Sequence, residues 1–228
     1  LCKRQLIQSN PVRLVDMPKI KEKAIIQLDP DEVASLLDYI ENYGNQLTGV
    51  KLYHYNKQKY RDIAIVTLLL GTGVRVSELV GLNISDIDFK NNGIRILRKG
   101  GNEMIVYFGE EVEKALKDYL EISRNAITPL SGHEDALFLS GQRRRISVDA
   151  VEKMVKKYAS AISAKTITPH KLRSTYGTAL YRETGDIYLV ADVLGHADVN
   201  TTKKHYAKLS DARRRAASKA VTLREKID

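Results

Sequence analysis

The stretch TPHKLRSTYGTALYRETGDIYLVADVLGHADVNTTKKHY, residues 168–206, decides how this chain is read. Thr168 followed by Pro169 has the form of a helix N-cap and first helical residue, so His170 and Arg173 fall on one face of the opening turn. The backbone N–H groups of such a turn favour an anion, and His170 and Arg173 would flank it. Further on, Ile187, Val190, Ala191 and Leu194 recur at helical core spacing and stop at Gly195, a typical residue at a helix end. His196 then stands immediately beyond a packed helix. Asn200 or Thr201 can cap another short helix carrying Lys203, Lys204 and Tyr206, and the two lysines would favour a phosphate nearby.

Working outward, Tyr60 to Leu70 is apolar nearly all round, the pattern of a helix at the centre of a core. It stops at Gly71-Thr72-Gly73-Val74-Arg75, where two glycines permit a tight turn. A short helix resumes with Arg75 and Glu78 at i, i+3, so a carboxylate is placed to hold a guanidinium at the end of the most buried helix. Two β-prone runs, Ile94 to Arg98 and Met104 to Phe108, are joined by Lys99-Gly100-Gly101-Asn102-Glu103, a hairpin with Lys99 at its tip.

The remaining elements frame these. Asp29, Pro30 and Glu32 form an N-cap, first-turn and capping-partner set for a helix with Val33, Leu36, Leu37 and Ile40 on one face, ending near Gly44. Gly44 to Asn56 is polar and tyrosine-rich and reads as a surface loop. Amphipathic helices follow over Val112 to Leu120 and Val151 to Ile162, with a loop from Thr128 to Asp135 and a brief extended run from Ala136 to Leu139. The triplet Arg143 to Arg145 reads as a solvated loop, with contact to phosphate as the alternative. The expected fold class is α+β, mainly α-helical, with a small antiparallel β-hairpin sheet.

Composition sets the outer bounds. The 228 residues suffice for one large domain, and 37 Lys plus Arg against 28 Asp plus Glu give a net charge of +9. Such a balance is met either by a polyanionic partner, usually nucleic acid, or by a merely solvated basic surface. A single cysteine, Cys2, supports neither a disulfide framework nor a cysteine-based zinc site and suits a reducing, cytoplasmic compartment. No apolar run approaches the roughly 20 residues of a membrane span. Residues 1–23 are basic, carry two prolines and few apolar positions, and read as a linker at the end of a missing N-terminal domain.

Taken singly, a histidine is more often a satisfied polar residue than a catalyst, a tyrosine more often packing than nucleophile, and an Arg–Glu pair more often a surface contact worth a few tenths of a kcal/mol. The joint occurrence of these residues, in order and in matching local contexts, is what singles them out. GTGVRVSEL, RKGGNE, TPHKLRSTYGT, VLGHAD and NTTKKHYA together strongly resemble the tyrosine recombinase (integrase) family, including Xer-type and mobile-element integrases, over nearly all of residues 10–210.

That resemblance implies a catalytic domain over residues 24–210, preceded by the join to a DNA-clamping, core-binding domain and followed by a tail, 211–228, exchanged between protomers. It implies six catalytic residues: Arg75 as the first arginine, Lys99 as the hairpin lysine, His170 and Arg173 as the HxxR pair, His196 of the LGH motif and Tyr206 as nucleophile. Glu78 supports Arg75. Arg75, Lys99, Lys171, Arg173 and Lys203 are expected to contact nucleic acid. Nine residues separate His196 from Tyr206, one more than in many members of that family.

The chemistry suits these residue types. A tyrosine hydroxyl, with an ordinary pKa of about 10, needs activation before it attacks a phosphodiester. Two guanidiniums can clamp the non-bridging oxygens with bidentate, charge-assisted bonds that lysine cannot reproduce. His170 suits the role of base or orienting group for Tyr206, His196 that of a donor to the phosphoryl oxygens, and Lys99 that of acid for the leaving 5′ oxygen. No metal or other cofactor is expected, since a two-metal nuclease would want several Asp or Glu in these motifs. The implied partners are double-stranded DNA, three further copies in a homotetramer assembled on it, and accessory DNA-bending proteins. A type IB topoisomerase-like nicking and closing enzyme and a catalytically silent DNA-binding module are the alternative functions.

Overall fold

The computed structural model describes residues 26–98, 101–196 and 199. Seven α-helices and one small sheet are formed by these residues. They are α1 (Pro30–Asn42), α2 (Gly49–Thr72), α3 (Val76–Gly81), β1 (Ile87–Asp88), β2 (Gly93–Leu97), β3 (Glu103–Tyr107), α4 (Glu110–Asp118), α5 (Val148–Ile162), α6 (Pro169–Thr184) and α7 (Ile187–Leu194). The fold is thus mainly helical with a small antiparallel sheet, as the sequence implies.

Helix α2 is the axis of the core. Ala64, Ile65, Val66, Leu68 and Leu69 are completely buried, because α1, α4, α5 and α6 surround it. The expected loop over Gly44 to Asn56 is wrong for its second half, since α2 begins at Gly49. Its first turns are mostly polar and exposed, and Tyr55 anchors them: its buried hydroxyl bonds to the Ile40 and Glu41 carbonyls at the end of α1, at 2.8 and 2.7 Å. Polar residues do not oppose a helix whose inward positions are filled.

The hairpin is present and gains a short third strand. β1 pairs with β2 and β2 with β3, both antiparallel, with Ile94 opposite Val106 and Ile96 opposite Met104. Ile94, Ile96 and Val106 point into the core, whereas Leu97, Ile105 and Tyr107 face solvent, the alternation that one buried sheet face requires. Ala136 to Leu139 makes isolated bridges, Asn83 with Ala136 and Leu139 with Arg145, rather than a strand. It is buried because α4 continues into a π-helical turn, Tyr119–Arg124. There Tyr119 stacks on Phe138 at 5.3 Å, and Arg124 donates to the Ala136 and Glu134 carbonyls. Arg143 and Arg144 are exposed, as a solvated loop requires, whereas Arg145 is half-buried. It caps the end of α3 through the Val80, Gly81 and Leu82 carbonyls and the Asn83 side chain.

The hairpin of α6 and α7 stands partly apart. Tyr181, Val190 and Leu194, with Tyr176, Leu180 and Ile187, form a second apolar cluster separate from the main core. Gly185, at φ +71°, ends α6, and Asp186 caps α7 by accepting the Tyr188 and Leu189 N–H groups. At the other end of α6, Thr168 occupies the N-cap position before Pro169, but its side chain makes no capping bond.

Candidate active site

Two turns meet at the site. The first is the end of α2, where Gly73 takes a left-handed conformation at φ +64° and returns its N–H to the Leu69 carbonyl. A Cβ at Gly73 would overlap the Tyr176 ring and crowd Leu194, so the glycine permits both the turn and the approach of the α6–α7 hairpin. Arg75 follows at the start of α3. Glu78, 9% exposed, receives the Arg75 backbone N–H at 2.7 Å and its Nη1 at 2.8 Å. The expected pairing is therefore a bond of both main chain and side chain, which fixes the guanidinium relative to its own helix.

The second turn is the end of α7. Gly195, at φ +61°, donates to the Asp192 carbonyl at 2.8 Å, and His196 donates its backbone N–H to the Ala191 carbonyl at 2.9 Å. This is the paired-bond glycine stop that fixes the residue following the glycine. These backbone bonds fix where His196 stands, half-buried, just beyond the helix.

Three arginines close on this helix end. Arg75 donates Nη2 to the Gly195 carbonyl at 2.9 Å. Arg173, only 5% exposed, donates to the Leu194 carbonyl through Nη2 and, 100 positions back in the sequence, to the Gly73 carbonyl through Nη1, so one side chain ties the two turns together. Arg98, at the end of β2, donates to the Asp192 carbonyl at 3.2 Å and to the Val193 carbonyl at 2.7 Å. Every carbonyl that the last turn of α7 leaves without a helical partner is satisfied. Three cations at a helix C-terminus also meet the negative end of its dipole.

The electrostatics follow from this crowding. Burial lowers the Arg98 guanidinium from its ordinary value and the neighbouring Arg75 charge acts in the same sense, while Glu78 and Asp192 oppose them. Burial likewise raises the Tyr176 hydroxyl under Gly73. His170 lies exposed at the second position of α6, one turn ahead of Arg173, and Lys171 is half-buried beside it.

Of the residues named from the sequence, the structure brings Arg75, Glu78, Arg173 and His196 into one neighbourhood and sets His170 on the helix that supplies Arg173. Lys99, Lys203 and Tyr206 lie outside the described residues. Arg98 was missed, although its signal was available: alternation along β2 puts it on the inward face of Ile94 and Ile96, where a charge needs partners. A cleft of about 420 Å³, lined by Tyr53, His54, Lys57, Arg61 and Arg143 among others, involves none of the site residues. It flanks the opposite half of α2.

Comparison with known proteins agrees with this geometry. Residues 27–213 match the model of the phage integrase family. Tyrosine recombinase XerS of Streptococcus agalactiae serotype III is 38% identical over 204 residues, covering 88% of this chain and 56% of that protein. Tyrosine recombinase XerC of Roseiflexus castenholzii is 31% identical over 201 residues, covering 88% and 60%. The chain thus spans a little over half the length of the curated relatives it matches. Among solved structures, the XerA recombinase superposes with a TM-score of 0.70 at 30% identity over 89% of this chain and 67% of its own. The XerH site-specific recombinase, bound to its palindromic difH substrate in a post-cleavage complex, superposes at 0.68 with 25% identity, over 86% and 53%. Family match, sequence identity and superposition agree, and the chain belongs to the phage integrase family of tyrosine recombinases.

Proposed function

We propose that this chain carries the strand-cleaving and rejoining centre of a site-specific DNA recombinase that integrates or excises a mobile element. The observation that supports the reading most directly is the convergence of Arg75 and Arg173 on the turn bearing His196. Two guanidiniums gathered from distant parts of a chain, with a carboxylate fixing one of them, are what a phosphodiester in transition requires.

In this mechanism the Tyr206 hydroxyl oxygen attacks the scissile phosphorus, giving its proton toward His170. Arg75, Arg173 and His196 donate to the non-bridging oxygens as negative charge builds on them. The bond from phosphorus to the 5′ oxygen breaks, and that oxygen takes a proton from Lys99. The product is a 3′-phosphotyrosyl ester, which keeps the phosphodiester's bond energy, so attack by a different 5′ hydroxyl rejoins the strand and releases Tyr206. Arg75 is well placed for this: a guanidinium has five N–H donors, two of its bonds go to Glu78 and Gly195, and its side chain is still 38% exposed.

Residues 24–210 form the catalytic domain in this reading, and residues 1–23 lead from a DNA-clamping domain. Lys171 and Lys203 add phosphate contacts. A homotetramer on double-stranded DNA, with residues 211–228 exchanged between protomers and with accessory DNA-bending proteins, is the working assembly, in the bacterial cytoplasm at the nucleoid. Among the described residues no helix is long and apolar enough to cross a membrane.

The test is covalent trapping. On a DNA substrate nicked so that the cleaved fragment diffuses away, the chain accumulates a protein–DNA adduct resolvable on a denaturing gel. Tyr206→Phe forms none while binding the duplex as before. An adduct that persists in Tyr206→Phe assigns the nucleophile elsewhere.

A further inference from the structure

Helix α7 belongs to the minor apolar cluster with α6, not to the main core. Beside Leu194, which packs over Gly73, the contacts that fasten its C-terminal turn to the body of the domain are polar: Arg173 from α6, Arg75 at the start of α3 and Arg98 from the end of β2. Arg75 and Arg173 have a second task at the phosphate in the reading above. Arg98 does not; both of its bonds run to backbone carbonyls of the turn, and its Nε is buried without a partner among the described residues. The fit is close, since a Cβ on Gly195 would overlap the Arg98 guanidinium. Gly195 is therefore bounded on one side by Arg98 and holds Arg75 through its carbonyl.

We propose that Arg98 is a positioning residue for the reaction: by fastening the end of β2 to the last turn of α7, it fixes the Gly195–His196 turn at the distance from which Arg75 and His196 reach one phosphate. The inference rests on the recombinase reading. Arg98 touches no reacting atom; it acts through the turn. A backbone displacement on the order of 1 Å at such a centre can cost 100-fold in rate, which is the scale on which losing this fastener should register.

The experiment uses the full chain and the nicked substrate, with the single-turnover rate of adduct formation measured at saturating DNA and affinity measured separately by fluorescence anisotropy. Arg98→Ala is expected to slow adduct formation about 10- to 100-fold while changing affinity less than about threefold. Arg98→Lys, which can restore one of the two carbonyl bonds, falls between. The decisive readout is a double-mutant cycle with His196→Ala. If Arg98 acts by placing His196's turn, its substitution adds little once His196 is gone, whereas a merely structural role multiplies the two losses. Multiplied losses, a wild-type rate in Arg98→Ala, or a loss confined to affinity each overturn the proposal while the adduct still depends on Tyr206. The absence of any adduct in the wild type removes the recombinase reading itself and this inference with it.

Discussion

Arg75 and Arg173 look equivalent as charges, but their surroundings make them different residues. Arg173 is 5% exposed, and its two terminal guanidinium nitrogens reach carbonyls on two separate turns. Lysine has one nitrogen and no planar fork, so it cannot serve both. Leaving a buried carbonyl unpaired costs about 1–3 kcal/mol, and Arg173→Lys is expected to lose that much stability. Arg75 has a side chain 38% exposed; as lysine it keeps the charge that faces Glu78 and gives up only the part-buried bond to the Gly195 carbonyl, so Arg75→Lys should cost less, about 1 kcal/mol at most. Both variants lose cleavage under the proposed mechanism. Urea denaturation of the two side by side separates fastening from chemistry, and equal stability losses would contradict the difference in burial.

At the scale of elements, the end of α7 shows how little sequence is needed to aim a functional residue. Gly195 at φ +61° lets two N–H groups fold back onto the helix, and the same missing Cβ makes room for Arg98. Gly195→Ala must pay a left-handed cost of about 1–2 kcal/mol and also displace that guanidinium. A fall in stability of at least that size is expected, with adduct formation falling further than in any surface variant of α7. Thermal denaturation and the trapping assay measure the two effects, and a variant as stable as wild type would refute the packing argument. This turn was legible beforehand because its signals are local: an apolar period, then a glycine, then His196. Glu78 beside Arg75 was legible for the same reason. Helix α2's first turns were not, because polar Gly49 to Asn56 depends on the Tyr55 hydroxyl finding α1. Nor was the burial of Arg173 or the capping by Arg145, and for Arg98 the strand alternation marks an inward position without naming its partners. Their partners are backbone carbonyls, which no residue type marks, so an arginine destined for a helix end reads like one destined for phosphate.

The molecule as a whole has to keep the α2 axis and the α6–α7 hairpin in register, and part of that bracing sits where the entry to α1 meets α5 and α6. The Leu28 N–H donates to Thr175 on α6 at 3.0 Å. Glu32 closes the α1 capping box on Asp29 at 2.9 Å and also receives Ser163 at 2.9 Å and Lys165 at 2.5 Å. Lys165 donates in turn to the Gln27 carbonyl. The Lys165 bond first, then the Asp29 N–H, hold the Glu32 carboxyl down at about 2, against an ordinary 4.5. A carboxylate with a depressed folded pKa stabilises the fold fully above its unfolded value. As pH falls below about 4.5 the unfolded chain takes up a proton that the folded one refuses, and the contribution drains away until about 2. Glu32→Gln removes this titration. It should cost about 1 kcal/mol at neutral pH, where the cap and the ion pair are weakened, and then lose stability less steeply than wild type on acidification. Urea midpoints followed from neutrality down to about pH 3 should therefore converge for the two proteins, and midpoints that stay parallel would show that this junction is not what couples the fold to acid.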